Sequence, residues 1–367
     1  MKKIVFFTII FSLTFFALGF ISNQYFNSLE NFYDTIKSND TAEDFSKNQL
    51  SPIDIASIIH VKNDGDLQKI RTDLNNYIFS NKSPTSKIPD KISINIHDKN
   101  FQNISNLKQI DELIINMKYD VNSVVYLFHP EKSNNKLIIY HEGHAGDFVN
   151  GKKSIEFFIN DGYTVMSFAM PLLGKNNNPI FEHESIGKIQ LIDHDQLRYL
   201  ETNSFSPIQF FVEPIMISLN YLDQNYDFDS YNMVGISGGG WSTTLYSAMD
   251  ERINDSFSIA GSIPIFMRNV PENVGDYEQI LPELYYIANY LDLYILSSVG
   301  TDRSFTQIFI KNDPCCFGNG EFRTYEKILT EHITNLNGTF SIIEDDSIKR
   351  HEISDIILRF ISNKIRT

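Results

Sequence analysis

A chain of 367 residues, 42% hydrophobic and carrying 29 Phe and 18 Tyr, has the material for one large core, and this excludes a disordered chain. The formal net charge of −15, with no basic run beyond Lys2-Lys3, excludes nucleic acid and anionic membrane surfaces as partners on bulk charge. The acidity reads first as a solubility device.

The chain opens "MKKIVFFTIIFSLTFFALGFISNQYF". Two lysines precede an uncharged, mostly apolar run from Ile4 to Ile21, which lacks the polar face of a core helix. Residues 1–22 read as an export signal or a membrane anchor through residues 4–21. The run sits near the lower edge of a bilayer span, about 17–25 residues, so length does not separate the two. Ala17-Leu18-Gly19 offers a small-x-small cleavage site. Either way the body of the chain is expected outside the cytoplasm: periplasm, envelope or secreted.

Residues 22–50 are polar and read as a tether or a frayed helix. "SPIDIASIIHVKNDGDLQKIRTDLNNYIF" (51–79) has helical spacing, with Ser51 as N-cap and Pro52 at the first helical position. "NKSPTSKIPDK" breaks that pattern with two prolines. Residues 23–90 are therefore expected to form a linker and helical extension, and 91–367 the main domain.

From Lys91 strands and helices alternate. "KISINIHD" (91–98) reads as a strand and "NISNLKQIDELIINMKY" (103–119) as a helix. "VNSVVYLFHP" and "KLIIYH" read as strands, "GKKSIEFFINDG" as a helix and "YTVMSFAM" as a strand. "SPIQFFVEPIMISLNYLDQN" reads as a helix, and "YNMVGI" as a strand leading into the helix "GWSTTLYSAMDERI". "SFSIAGSI" and "FTQIFIKN" read as strands on either side of a mixed, aromatic segment, 263–303. "RTYEKILTEHITNLN" (helix), "TFSIIEDD" (strand) and "HEISDIILRFISNKI" (helix) complete the chain. This alternation predicts an α/β fold with a mostly parallel sheet covered by helices on both faces.

Cys315 and Cys316 are the two cysteines. Adjacent Cα atoms lie about 3.8 Å apart across a trans peptide, closer than ordinary disulfides prefer. Two packed thiols are expected ahead of a vicinal bridge, and neither arrangement can staple distant parts of the fold.

Gly235-Ile236-Ser237-Gly238-Gly239 matches G-x-S-x-G. The five residues alone are a weak signal. A strand entering Ser237 and a helix leaving it are what a nucleophile elbow requires. The competing reading, a phosphate-binding turn, lacks a P-loop lysine, since Trp241 follows the glycines. A serine hydroxyl needs a base, and in a strand–elbow–helix arrangement the base comes last in chain order. His351 lies after the final strand and before the final helix. The base needs a carboxylate to fix its tautomer; Asp313, after the strand "FTQIFIKN", is the candidate and Asp302 its rival. Gly238 offers one oxyanion amide. "KLIIYHEGHAGD" offers the second, at Gly143 or His144. A metal reading of His141 and His144 with Glu142 has two ligands three residues apart and no further partner nearby, so no metal and no cofactor are expected.

Together these residues resemble the α/β-hydrolase superfamily, over about 91–367. The resemblance implies an eight-stranded, mostly parallel sheet with a Ser237–Asp313–His351 triad. It also implies that 263–303 forms a cap over the serine. Tyr277, Tyr285, Tyr286, Tyr290 and Tyr294 line a pocket there or simply pack, with packing favoured. Arg268 or Arg303 could hold a substrate carboxylate or merely pair with acids. The early loop departs from the superfamily pattern because Glu142 separates His141 from Gly143, and residues 1–90 lie outside the resemblance. The expected function is an exported serine esterase acting through an acyl-enzyme on a small-molecule or polysaccharide-linked ester. A peptidase or acyltransferase would use the same residues, and a non-catalytic binding protein would keep only the fold.

Overall fold

The computed structural model describes residues 53–318, 320 and 322–366. The expected leader, the tether and the Ser51-Pro52 cap lie outside these residues. Among the described residues no helix is long and apolar enough to cross a membrane.

Among the described residues eleven strands follow in chain order. They are β1 (Lys91–Ser93), β2 (Leu107–Asn116), β3 (Asn122–Pro130), β4 (Lys136–His141), β5 (Thr164–Phe168), β6 (Ile180–His183), β7 (Gly187–Gln190), β8 (Ser230–Ile236), β9 (Ile253–Ile259), β10 (Ser304–Ile310) and β11 (Phe340–Asp345). The longer helices are α1 (Asp64–Phe79), α2 (Lys152–Asn160), α3 (Gln209–Asn225), α4 (Gly238–Met249), α5 (Tyr290–Ser298), α6 (Arg323–Asn335) and α7 (Asp355–Arg366). Nine strands form one sheet in the order β1-β2-β3-β5-β4-β8-β9-β10-β11, while β6 and β7 pair separately. The six strands from β5 to β11 are parallel, and the β1–β2, β2–β3 and β3–β5 pairs are antiparallel.

Side chains alternate across each central strand, as the pleat requires. In β4, Leu137 and Ile139 enter one core while Ile138 and Tyr140 enter the other; in β10, Phe305 and Phe309 oppose Ile308 and Ile310. The first core is roofed by α1, α3, α4, α5 and α6, and the second by α2 and α7. A sheet buried on both faces explains why these strands read as nearly continuous apolar runs.

The structure departs from expectation in several places. The main sheet has nine strands rather than eight, because 103–119 supplies a ten-residue strand, β2, instead of a helix. The apolar residues at 104, 107, 110 and 113 fit helical spacing. The Leu113-Ile114-Ile115 run and the ladder to β3 prevail, because pairing and burial on a sheet outweigh local spacing. Only Lys91–Ser93 of the expected strand 91–98 forms, at the edge of the sheet.

Residues 54–367 form one compact unit, which includes α1. Leu67, Ile70, Leu74 and Ile78 of α1 are buried in the first core. Arg71 donates to Ala248 O (3.0 Å) and Leu296 O (3.2 Å), the C-terminal ends of α4 and α5. The expected helix 51–79 is interrupted because Asn63 caps α1 through Gly65 N and Asp66 N. The amides of His60 and Val61 turn instead to the buried Asp292 carboxylate.

Strand order places the site. The chain runs outward from β4 to β5, then returns to lay β8 on the other side of β4. The loops after β4 and β8 therefore leave the sheet in opposite directions, opening a crevice at the carboxyl ends of the strands.

Candidate active site

Ser237 stands at this switch point, directly between β8 and α4. Its backbone has φ 56° and ψ −127°, a conformation costly for a residue with a Cβ. Backbone bonds hold it there: Ser237 N donates to Ile259 O (2.9 Å), and Trp241 N donates to Ser237 O (3.0 Å). Gly239 is glycine of necessity, since a Cβ there would lie 2.0 Å from His141 O at the end of β4. This contact brings the N-terminus of α4, with its unpaired amides and positive dipole end, up to the serine.

The loop after β4 touches the serine from the other side. A Cβ on Gly143 would fall 2.6 Å from Ser237 Cβ and 3.2 Å from its Oγ. Gly143 N donates to Glu142 Oε1 (3.1 Å), and Tyr140 OH donates to Glu142 Oε2 (2.7 Å). Burial pushes the Glu142 carboxyl above its usual range, and His351 is near enough to oppose that shift. With Gly143 N engaged by Glu142, His144 N is the amide of this pair without an acceptor among the described residues.

Asp313 and His351, 38 residues apart in sequence, meet after β10 and β11. The Asp313 side chain is fully buried; its Oδ1 accepts from Cys315 N (2.8 Å) and its Oδ2 from His351 Nδ1 (2.8 Å). A proton on Nδ1 leaves the Nε2 lone pair free, the tautomer a general base needs. His351 Nε2 is buried and has no hydrogen-bond partner among the described residues, so the bond to Ser237 Oγ is not formed in this structure. Cys315 and Cys316 are joined in a disulfide within the loop that carries Asp313, where two thiols were expected. Asp302 is exposed and precedes β10, at the opposite end of that strand from Asp313.

The trio His141–Glu142–His144 does not assemble as ligands. His141 is buried and donates from Nδ1 to Glu142 O (2.9 Å). Burial lowers its pKa to about 4. His144 turns away toward a cluster that sequence spacing does not reveal. Its Nε2 lies 2.9 Å from Asp276 Oδ2, 3.1 Å from Glu278 Oε1 and 3.1 Å from His194 Nδ1. Burial would lower the His144 pKa, but the two carboxylates raise it to about 10. No local signal could have found this cluster, because its members come from three separate segments.

No family model and no curated protein matches the chain. Solved structures do. An acetyl xylan esterase from Paenibacillus sp. R4 superposes over 83% of this chain and 95% of its own, with a TM-score of 0.56 and 14% identity. Acetyl xylan esterase 1 from Thermoanaerobacterium sp. JW/SL YS485 covers 81% and 93%, with a TM-score of 0.52 and 14% identity. The chain has an α/β-hydrolase fold.

Within this fold, the expected cap 263–303 divides in two. α5 is buried along its whole length and packs on α4, as a layer helix does. The preceding turns bring Asp276 and Glu278 to His144. Tyr277, Tyr285, Tyr290 and Tyr294 are buried packing residues, and only Tyr286, 83% exposed, is free of the core. Trp241 is fully buried and donates to Tyr285 OH (2.7 Å). Arg303 is buried and donates to Ile253 O, Leu296 O, Val299 O and Ser247 O, so it holds backbone rather than a substrate. Arg268 is likewise engaged, by Ile263 O, Val274 O and the Tyr290 ring.

Proposed function

We propose that this protein is a serine esterase that forms an acyl-enzyme on Ser237, with His351 as general base and acid and Asp313 fixing its tautomer. The observation that carries the reading is the 2.8 Å Asp313–His351 bond, formed at the same sheet edge that presents Ser237. Ser237 Oγ attacks the ester carbonyl while His351 Nε2 takes its proton; the oxyanion is met by the Gly238 amide and one amide of the Gly143-His144 pair. The protonated His351 then gives its proton to the departing alkoxide. Water, deprotonated by the same nitrogen, releases the acid and restores the serine. The missing Ser237–His351 bond is compatible with this sequence, because catalytic hydrogen bonds in free enzymes often tighten only with substrate.

The substrate is proposed to be an acetyl ester on a polysaccharide, supported by the fold shared with two acetyl xylan esterases. An extracytoplasmic location is proposed from the apolar run 4–21.

The test is labelling with a fluorophosphonate, alongside turnover of an aryl acetate, an acetylated xylo-oligosaccharide and a peptide. The expected result is labelling of wild type but not Ser237→Ala, with acetate release from the oligosaccharide. Cleavage of the peptide alone would replace the esterase by a peptidase. A folded wild type that neither labels nor turns over any of the three would leave a binding protein.

A further inference from the structure

We propose that His144, His194, Asp276 and Glu278 bind a zinc ion beside the serine. This site does not depend on the esterase reading. The four side chains come from the loop after β4, the 3-10 turn His194–Leu200, and the segment that enters the short helix Tyr277–Ile280. One donor atom from each lies within 4.8 Å of all the others. The close pairs measure 2.9 Å (His144–Asp276), 3.1 Å (His144–Glu278), 3.1 Å (His144–His194) and 3.3 Å (His194–Glu278). A tetrahedral zinc with bonds of about 2.0–2.1 Å sets its donors roughly 3.3 Å apart. Four of the six donor pairs are already close to that spacing, and the other two lie within 4.8 Å.

With both rings neutral, as zinc binding requires, hydrogen bonding alone does not satisfy these atoms. His194 Nε2 lies 2.9 Å from Pro171 O, and a carbonyl can only accept, so the neutral ring carries its lone pair on Nδ1. That lone pair faces Glu278 Oε1 at 3.3 Å, acceptor against acceptor. A single N–H on His144 Nε2 faces three acceptors and can serve one of them well. Glu278 is fully buried, and its Oε2 has no hydrogen-bond partner among the described residues. One dication is a shared acceptor for the four donors, and it neutralises two carboxylates, the fully buried Glu278 among them. Two imidazole nitrogens and a coordination number of four favour zinc over calcium or magnesium, which prefer oxygen donors and higher coordination. The Pro171 carbonyl supplies the outer hydrogen bond that orients a ligating histidine. Asp276, about half exposed, marks the way in.

Four protein donors close the coordination sphere, which makes the role structural. A Cβ on Gly238 would lie 2.6 Å from His144 Nδ1, so the ring packs directly against the residue after Ser237. Zinc here would tie three loops together around the nucleophile and hold the His144 backbone in place.

The experiment is metal analysis of the purified protein by mass spectrometry, with zinc titration and the cobalt absorption spectrum of the chelator-treated form. Wild type is expected to hold one zinc per chain and to give an intense tetrahedral cobalt spectrum. Asp276→Asn, at a half-exposed position that leaves the fold intact, and Glu278→Gln are each expected to weaken zinc binding by about 100-fold or more, beyond the 10–100-fold typical of outer-sphere changes. A folded wild type that takes up no zinc overturns the proposal. So does zinc that binds equally well to both variants, or a cobalt spectrum of octahedral type.

Discussion

Replacing Gly143 by alanine tests the packing of the β4 loop against the serine. The new Cβ would sit 2.6 Å from Ser237 Cβ, 2.8 Å from Ile236 O and 3.2 Å from Ser237 Oγ. Ordinary Cβ contacts begin at 3.4 Å, so loop and serine must separate by about 0.8 Å. Neither neighbour yields cheaply: Ile236 O belongs to β8, and Ser237 is held by backbone bonds on both sides. The overpacking is expected to cost about 1–3 kcal/mol of stability. A displacement near 1 Å between the proposed nucleophile and its oxyanion donors costs about 10²-fold in rate, or about 2.7 kcal/mol in the barrier. The assay is kcat/KM on an aryl acetate, normalised by active-site titration so that unfolded chains are not counted, beside a thermal melt. A folded Gly143→Ala protein with wild-type kcat/KM would refute the reasoning, because the loop would then have no part in positioning the reaction.

Two further outcomes are expected. Asp313→Asn should cut kcat by about 10⁴-fold, because the wrong tautomer of His351 is then held, while Asp302→Asn, at the far end of β10, should turn over normally; the reverse pattern in steady-state rates would exchange their roles. His141, whose pKa falls from 6.5 to about 4 on burial, binds a proton more readily in the unfolded chain. Stability is therefore complete above pH 6.5 and lost as pH falls toward 4, by about 3 kcal/mol at roughly 1.4 kcal/mol per unit. Urea titrations of wild type and His141→Gln across that window should converge at the acid end, and parallel curves would exclude His141 as the cause.

The site residues differ in how much the sequence reveals. Ser237 is legible because its turn demands small neighbours in adjacent positions, leaving a local pattern. Asp313 and His351 are legible only through order, each following a strand, and it is the parallel sheet that converts order into proximity. Glu142, His194, Asp276 and Glu278 leave no such trace, since their partners come from other loops and no spacing rule links residue 144 to 194 or 278. β2 reads as a helix because residues 104–113 fit a helix as well as a strand until a neighbouring strand is present to pair with. α1 looked detached for a related reason: nothing within its own segment shows that Arg71 needs carbonyls at 248 and 296.

That last contact bears on how the chain is made. The acceptors of Arg71 are translated 177 and 225 residues after it. At 5–20 residues per second, the helix waits roughly 10–45 s on the ribosome before they emerge. Throughout that interval Leu67, Ile70, Leu74 and Ile78 lack the α4 and α5 residues of the core they share. The first long helix described is thus made early and completed late, its buried arginine waiting on carbonyls from the second half of the chain.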